Sequence, residues 1–389
     1  MKIKLIKSTF FKERETKEKL SKFIIKSNKL SMGDECLKFE NEFARYHGNK
    51  YACLVNSGSS ANLLLIQALL ISGKLKKGDN IGVSGLTWST NIMPLFQLGL
   101  NPVPIDVELD TLNVGLKSLI EVHSKYNLKG FFITNLLGLC SNLLDIVSFC
   151  ENNKILLFED NCESLGSVHK KRLLGTFGIA STSSFYVGHH LSTIEGGMII
   201  TDDDEIYNTL LISRAHGWSR NLSKKNKDYL KSKYQIENFY NNYTFYDLGF
   251  NLRPTEITGF LGNYQIKFLR EMVNIRENNF NLFSDQVVQN KNIINLKVNQ
   301  LEKISNFAYP LIFKSKSMYK SYREKFFKNN VEIRPIVSGN ITEQPFFKKY
   351  SSLSLKLKNA SYIHENGFYF PNNPELTNEE KYYIKGLLE

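Results

Sequence analysis

Residues 51–73 read YACLVNSGSSANLLLIQALLISG, and the order of residue types in them decides the fold class. Tyr51–Val55 is a short apolar run of strand type. Asn56-Ser57-Gly58-Ser59-Ser60 is turn chemistry, and the leucine-rich run behind it predicts a buried helix reaching Gly73. Working outward, Ile81–Val83, Pro102–Ile105 (with Asp106 behind it), Gly130–Thr134 and Ile155–Phe158 repeat the buried-strand pattern, with a helix over Leu143–Glu151. Upstream, Ser31-Met32-Gly33-Asp34 precedes Cys36, Phe39, Phe43 and Tyr46 at helical spacing, and Gly48 ends that segment. This alternation predicts an α/β protein with a mostly parallel, doubly wound sheet covered on both faces.

Beyond residue 180 the pattern changes. Ser183–Tyr186 and Met198–Thr201 read as strands on either side of a loop rich in His and Gly. Residues 219–246 are a polar insertion rich in Tyr, Asn and Lys. Pro254 suits the first turn of a helical stretch running to about Val288. Later strands (Phe307–Phe313, Glu332–Pro335) and helices predict a smaller C-terminal α+β domain. The expected division is a large domain over 1–265 and a small one over 266–389, with the N-terminal segment packing on the latter.

Composition narrows the function classes. The 389 residues are 42% apolar and 23% charged, which suits a globular chain and excludes disordered or collagen-like architectures. The longest apolar stretches are too short to span a bilayer, and residues 1–19 lack the apolar core of a signal peptide, so the expected location is the cytoplasm, with no membrane partner. Cys36, Cys53, Cys140, Cys150 and Cys162 form no CxxC pair, which predicts reduced, mostly buried thiols and no metal site. The net charge of +12 comes from scattered lysines. Their one dense cluster, Lys224, Lys225, Lys227, Lys231 and Lys233, reads as a solvated loop, so no nucleic-acid partner is expected. A positive field of this kind also gathers small anionic substrates.

Three stretches carry chemistry. The turn at Ser57, Gly58 and Ser59 opens a helix, where free N–H groups and hydroxyls suit an anion; taken alone this signal is weak, because a serine-capped helix after a strand is common. Phe158-Glu159-Asp160-Asn161-Cys162-Glu163 places carboxylates at the end of a buried strand, where open α/β sheets hold ligands. A carboxylate there suits a cationic ring nitrogen or caps the next turn. In Ser184-Phe185-Tyr186-Val187-Gly188-His189-His190-Leu191, two histidines are adjacent, and alternation lets at most one face a given site.

NSGSSANLLL, LTWSTN, NPVPIDVELDTLNV, FEDNCESLGS, GTFGIASTSSFY with EGGMIITDD, and SRAHG occur in this order over residues 31–260. This set resembles the sugar aminotransferases of the DegT/DnrJ/EryC1/StrS type, which use pyridoxal phosphate on the aspartate-aminotransferase (type I) fold. Weaker echoes lie at Phe250-Asn251-Leu252-Arg253 and Val331–Pro335. The resemblance implies a homodimer with shared active sites, Asp160 on the pyridine nitrogen, and Trp88 stacked on the ring. It implies Ser57, Gly58, Ser59 and Ser184 at the phosphate, joined by Asn251 from the partner subunit. Glu163 stands where most relatives have glutamine. His216, Arg253 and Arg334 are candidates for binding substrate or the glutamate carboxylate, or for structural ion pairs.

One departure redirects the reading. Where relatives carry the lysine that bonds the cofactor, this chain has His189. Imidazole forms no imine, so the cofactor is expected to be held without a covalent bond. The exchange is similar to that in the sugar 3-dehydratases of the family. One His-containing branch of these uses an iron–sulfur cluster, which a chain with no cysteine after Cys162 cannot ligate. The expectation is therefore a lyase in which L-glutamate converts pyridoxal to pyridoxamine phosphate and His189 moves the proton. The substrate would be a nucleotide-linked 4-keto-6-deoxy sugar, GDP-4-keto-6-deoxy-mannose or a heptose analogue. Its 3-hydroxyl is lost, and a 4-keto-3,6-dideoxy sugar and ammonia are released. The alternatives are a 4-aminotransferase and a non-catalytic regulator that binds cofactor or sugar; the latter gains no support from any recognisable DNA-binding module.

Overall fold

The computed structural model describes residues 2–389. Its centre is a seven-stranded sheet built from β1 (Tyr51–Val55), β2 (Asn80–Ser84), β3 (Asn101–Ile105), β4 (Gly130–Thr134), β5 (Leu156–Asp160), β8 (Ala180–Ser184) and β9 (Gly197–Thr201). The order across the sheet is β1-β9-β8-β5-β4-β2-β3. β5, β4, β2 and β3 pair in parallel with their neighbours and β8 pairs in parallel with β5, while β9 runs antiparallel between β8 and β1. Two two-residue strands, β6 (Val168–His169) and β7 (Arg172–Leu173), form a separate ribbon with β10 (Leu301–Lys303).

Residue alternation explains why both faces are covered. Cys53, Val55, Phe132, Phe158 and Ile199 enter one core, lined on the far side by the apolar helix Gly58–Ile71. Their neighbours Phe131, Ile133 and Leu157 enter another, shared with the C-terminal elements. Ala52, Leu54, Met198 and Ile200 pack on the helix Asp34–His47. A small sheet, β11 (Ala308–Ile312), β13 (Gly367–Pro371) and β12 (Arg334–Pro335), is antiparallel throughout. The helix Leu269–Val287 joins the cores: Leu269, Met272 and Val273 pack with the helix Asp34–His47, and Phe280, Phe283 and Val287 with the small sheet.

The structure corrects four expectations. Lys224–Lys233 is a helix, not a loop; Ser223 caps it and none of its residues is buried, so no apolar period announces it. The strand expected at Ser183–Tyr186 runs from Ala180 to Ser184, which releases Phe185 and Tyr186 into the following loop. Pro254 lies ahead of its helix, which starts at Glu256 behind the Thr255 cap and breaks into a second helix at Leu269. Of Glu332–Pro335, only Arg334 and Pro335 pair in the sheet.

Candidate active site

The parallel strands end on one side, and their carboxyl ends meet in a pocket of about 320 Å³. Ser57, Gly58 and Ser59 follow β1, Thr134 and Asp160 end β4 and β5, and Ser184 ends β8, so all of them line it. Ser57 is an extended N-cap whose hydroxyl accepts from the Ser60 N–H at 3.1 Å, leaving the Gly58 and Ser59 N–H groups to face the cavity. Glycine is required at 58 because a Cβ there would stand 2.6 Å from the Ser184 Cβ. The result is a small donor cradle at the positive end of a 14-residue helix.

Strand alternation separates the two adjacent carboxylates. Glu159 points away from the pocket and accepts N–H bonds from Gly175, Phe177 and Gly178 at 2.9, 2.5 and 2.8 Å. Asp160 faces the pocket, where it accepts from Asn91 Nδ2 at 2.7 Å, Asn62 Nδ2 at 3.1 Å and the Cys162 N–H at 2.9 Å. Thr182 and Thr87 in turn bond the amide oxygens of Asn62 and Asn91 at 2.6 and 3.0 Å, which fixes both amides as donors to Asp160. Asn62 and Asn91 lie inside the NSGSSAN and LTWSTN motifs, yet sequence reasoning assigned them no role.

Only one of the two histidines faces the pocket, as expected, but the pair lies in a turn beyond β8 and not in extended chain. His189 lines the pocket, with its ring 5.4 Å from that of Phe307 and edge-on to Tyr186 at 5.7 Å. Burial pushes its pKa down to about 4, against the pull of Asp160 and with help from Arg276, so the ring is neutral near pH 7. His190 turns away; its Nε2 lies 3.0 Å from the Ser305 carbonyl oxygen. Glu163 also faces the pocket and accepts the Leu137 N–H at 3.0 Å. Burial raises its carboxyl to about 8, with Asp160 adding to the rise, so it is protonated near neutrality.

Trp88, 55% exposed, stands at the mouth, and Arg334 lines the wall while pairing with Glu332 at 2.8 Å. Tyr369 and Val337, which sequence reasoning missed, complete that wall from the small sheet and the loop beyond β12. No lysine lines the pocket among the described residues. Asn251, His216 and Arg253 lie outside it in this chain. They share a ribbon in which Ala215 pairs with Asn251, His216 N–H donates to the Phe250 carbonyl at 2.7 Å, and Arg253 Nε donates to Asn251 Oδ1 at 3.1 Å.

The model of the DegT/DnrJ/EryC1/StrS aminotransferase family matches residues 12–388. The chain is 38% identical over 374 residues to GDP-4-keto-6-deoxy-D-mannose 3-dehydratase of Escherichia coli O55:H7, covering 94% of this chain and 95% of that one. It is 35% identical over 356 residues to the like-named protein of Yersinia pseudotuberculosis, covering 90% and 89%. Among solved structures, GDP-4-keto-6-deoxymannose-3-dehydratase with a trapped PLP-glutamate geminal diamine covers all of both chains at 34% identity and a TM-score of 0.92. From the family model, these identities and the shared fold, this chain belongs to the DegT/DnrJ/EryC1/StrS aminotransferase family.

Proposed function

We propose that this chain is a pyridoxal phosphate- and L-glutamate-dependent 3-dehydratase of a nucleotide-linked 4-keto-6-deoxy sugar, GDP-4-keto-6-deoxy-mannose being the favoured substrate. The observation that carries the reading is a neutral, buried imidazole at the pocket position where the family's lysine would stand, beside an intact cofactor cradle.

The donor set fits the cofactor. The N–H groups and hydroxyls at Ser57, Gly58, Ser59 and Ser184 suit its phosphate, and the triply bonded Asp160 suits a protonated ring nitrogen. Trp88 offers an indole face, and the protonated Glu163 offers a donor to a ring oxygen. When bound in its amine form, the cofactor would supply an amino group for the sugar's 4-keto carbon and an electron sink for the loss of the 3-hydroxyl.

The chain's own residues then do three things. Asp160 holds a positive charge at the ring nitrogen without itself moving a proton. His189 would accept at an imidazole nitrogen the proton lost from the carbon bearing the cofactor's amine and pass it to the 3-hydroxyl, which would depart as water, one residue serving as base and then acid. With no lysine lining the pocket among the described residues, nothing in the chain would re-bond the cofactor, and the deoxygenated amino sugar would be released and hydrolysed to ketone and ammonia. Arg334 is proposed to meet anionic substrate, a role suited to a planar fork already oriented by Glu332.

The active form is proposed to be a homodimer in which the 215–253 ribbon brings Asn251, His216 and Arg253 to the partner's pocket. Phe239, Tyr243, Phe245 and Leu248, all within residues 215–253, are exposed in the single chain. Such an apolar patch fits a protein contact. Incubating the protein with L-glutamate and GDP-4-keto-6-deoxy-mannose tests the proposed reaction. A 3-deoxy ketone and ammonia are expected; a retained sugar amine would establish an aminotransferase instead.

A further inference from the structure

A loop without a covalent anchor needs another restraint if its histidine is to move protons accurately. We infer that Arg276 supplies it: its guanidinium clamps the main chain at His189 and His190 and so positions the imidazole. The inference rests on reading His189 as the proton carrier.

Arg276 lies on the helix Leu269–Val287 and is 4% exposed. Its Nη2 donates to the His189 carbonyl oxygen at 3.3 Å and its Nη1 to the His190 carbonyl oxygen at 3.5 Å. Two consecutive carbonyls are held by one rigid fork, a geometry the single ammonium of lysine cannot copy. No carboxylate lies within ion-pair distance of Arg276 among the described residues. A buried guanidinium without an ion partner is costly, and here its charge is spent on main-chain dipoles under the catalytic loop. Burial correspondingly draws its pKa down to about 9.

The clamp is itself braced. Asn372 Nδ2 donates to the Arg276 carbonyl oxygen at 3.0 Å, and Asn279 Nδ2 to that of Asn373 at 3.3 Å. A gap of about 30 Å³ beside the guanidinium is closed by the N-terminal segment at Ser8 and Phe10 and by Glu375, whose carboxylate accepts from the Ser8 hydroxyl. Helix, N-terminal arm and the segment after β13 therefore converge beneath one loop.

The same charge bears on proton affinity. Asp160 reaches His189 from the sheet and favours its protonated form; Arg276 from the helix opposes it. His190 adjoins it in the loop, and Glu163, Glu195, Arg334, Tyr186 and Tyr369 line the same pocket. Removing Arg276 thus loosens the loop and makes His189 easier to protonate.

Arg276→Met and Arg276→Lys separate these effects, with His189→Asn as the control. The readouts are steady-state turnover of the loaded enzyme and the NMR titration of His189, assigned by its loss in His189→Asn. Arg276→Met is expected to lower kcat by about 10- to 100-fold, with both KM values within about 2-fold, the scale of a small misplacement of a catalytic group. Its His189 titration should move to higher pH. Arg276→Lys keeps the charge and loses the fork, so the titration should stay near that of the parent while kcat still falls several-fold. If Arg276→Met fails to fold, Arg276→Lys decides alone: parental kcat there overturns the clamp. A folded Arg276→Met with parental kcat and titration overturns it as well. Undiminished turnover in His189→Asn would instead remove the functional reading, and this inference with it.

Discussion

At the residue scale the site is a set of opposed proton affinities. Burial depresses His189 to about 4 and raises Glu163 to about 8, so near neutrality the imidazole is neutral and the carboxyl is protonated. The acid limb of kcat/KM, which reports free-enzyme ionisations, is therefore expected below the ordinary imidazole value of about 6.5. Full activity at pH 6 in a pH–rate profile supports this; a midpoint at 6.5 or above contradicts it. Glu163 gives a second expectation through stability. Its folded-state pKa exceeds the ordinary carboxyl value of 4.5, so the folded state binds the proton more tightly than the unfolded one. The stability it contributes is complete below about 4.5 and is lost as pH rises through about 8. Glu163→Gln, which is always neutral, should raise Tm relative to the parent at pH 9 more than at pH 5. Equal shifts at both would show that the carboxyl is already ionised.

At the element scale, the helix Gly58–Ile71 and strand β8 are packed so closely that position 58 admits no side chain. Gly58→Ala should cost about 1–3 kcal/mol in a denaturant titration, typical of overpacking, and weaken cofactor binding measured by its absorbance band. Unchanged stability and binding would mean that the cradle is looser than the 2.6 Å approach indicates. This turn was legible in the chain because its glycine and serines sit between an apolar strand and an apolar helix. So was the face of Asp160, since alternation along β5 sorts it from Glu159, whereas His189 sits in a turn whose N–H donates to the Tyr186 carbonyl, and its direction is set by that loop. What stayed hidden arrives from a distance. Arg276 meets the histidine loop across 87 positions of sequence, and Tyr369 enters from β13. Ile194 and Val337, two β-branched residues at φ 72 and 49, flank the site, and no local pattern predicts such backbone strain. The helix Lys224–Lys233 was unreadable because it buries nothing.

At the scale of the whole molecule, one pocket draws on both the central sheet and the small antiparallel sheet, while Asn251, His216 and Arg253 stand outside it. The proposed homodimer gives these residues a place. Sedimentation should show a species of twice 44.8 kDa. Leu248→Asp should shift it toward the monomer and lower turnover together with assembly. A monomeric parent with full activity would remove the partner's contribution. The loop behind β8 places His189 in the pocket, and the proposed reaction rests on that histidine standing where a lysine would make a transaminase.

The most direct test is the loss of the sugar's 3-hydroxyl in His189→Asn, followed with saturating cofactor and L-glutamate. The account predicts that the variant keeps the cofactor's absorbance band and forms no 3-deoxy ketone. Ketone release at the parental rate would contradict it.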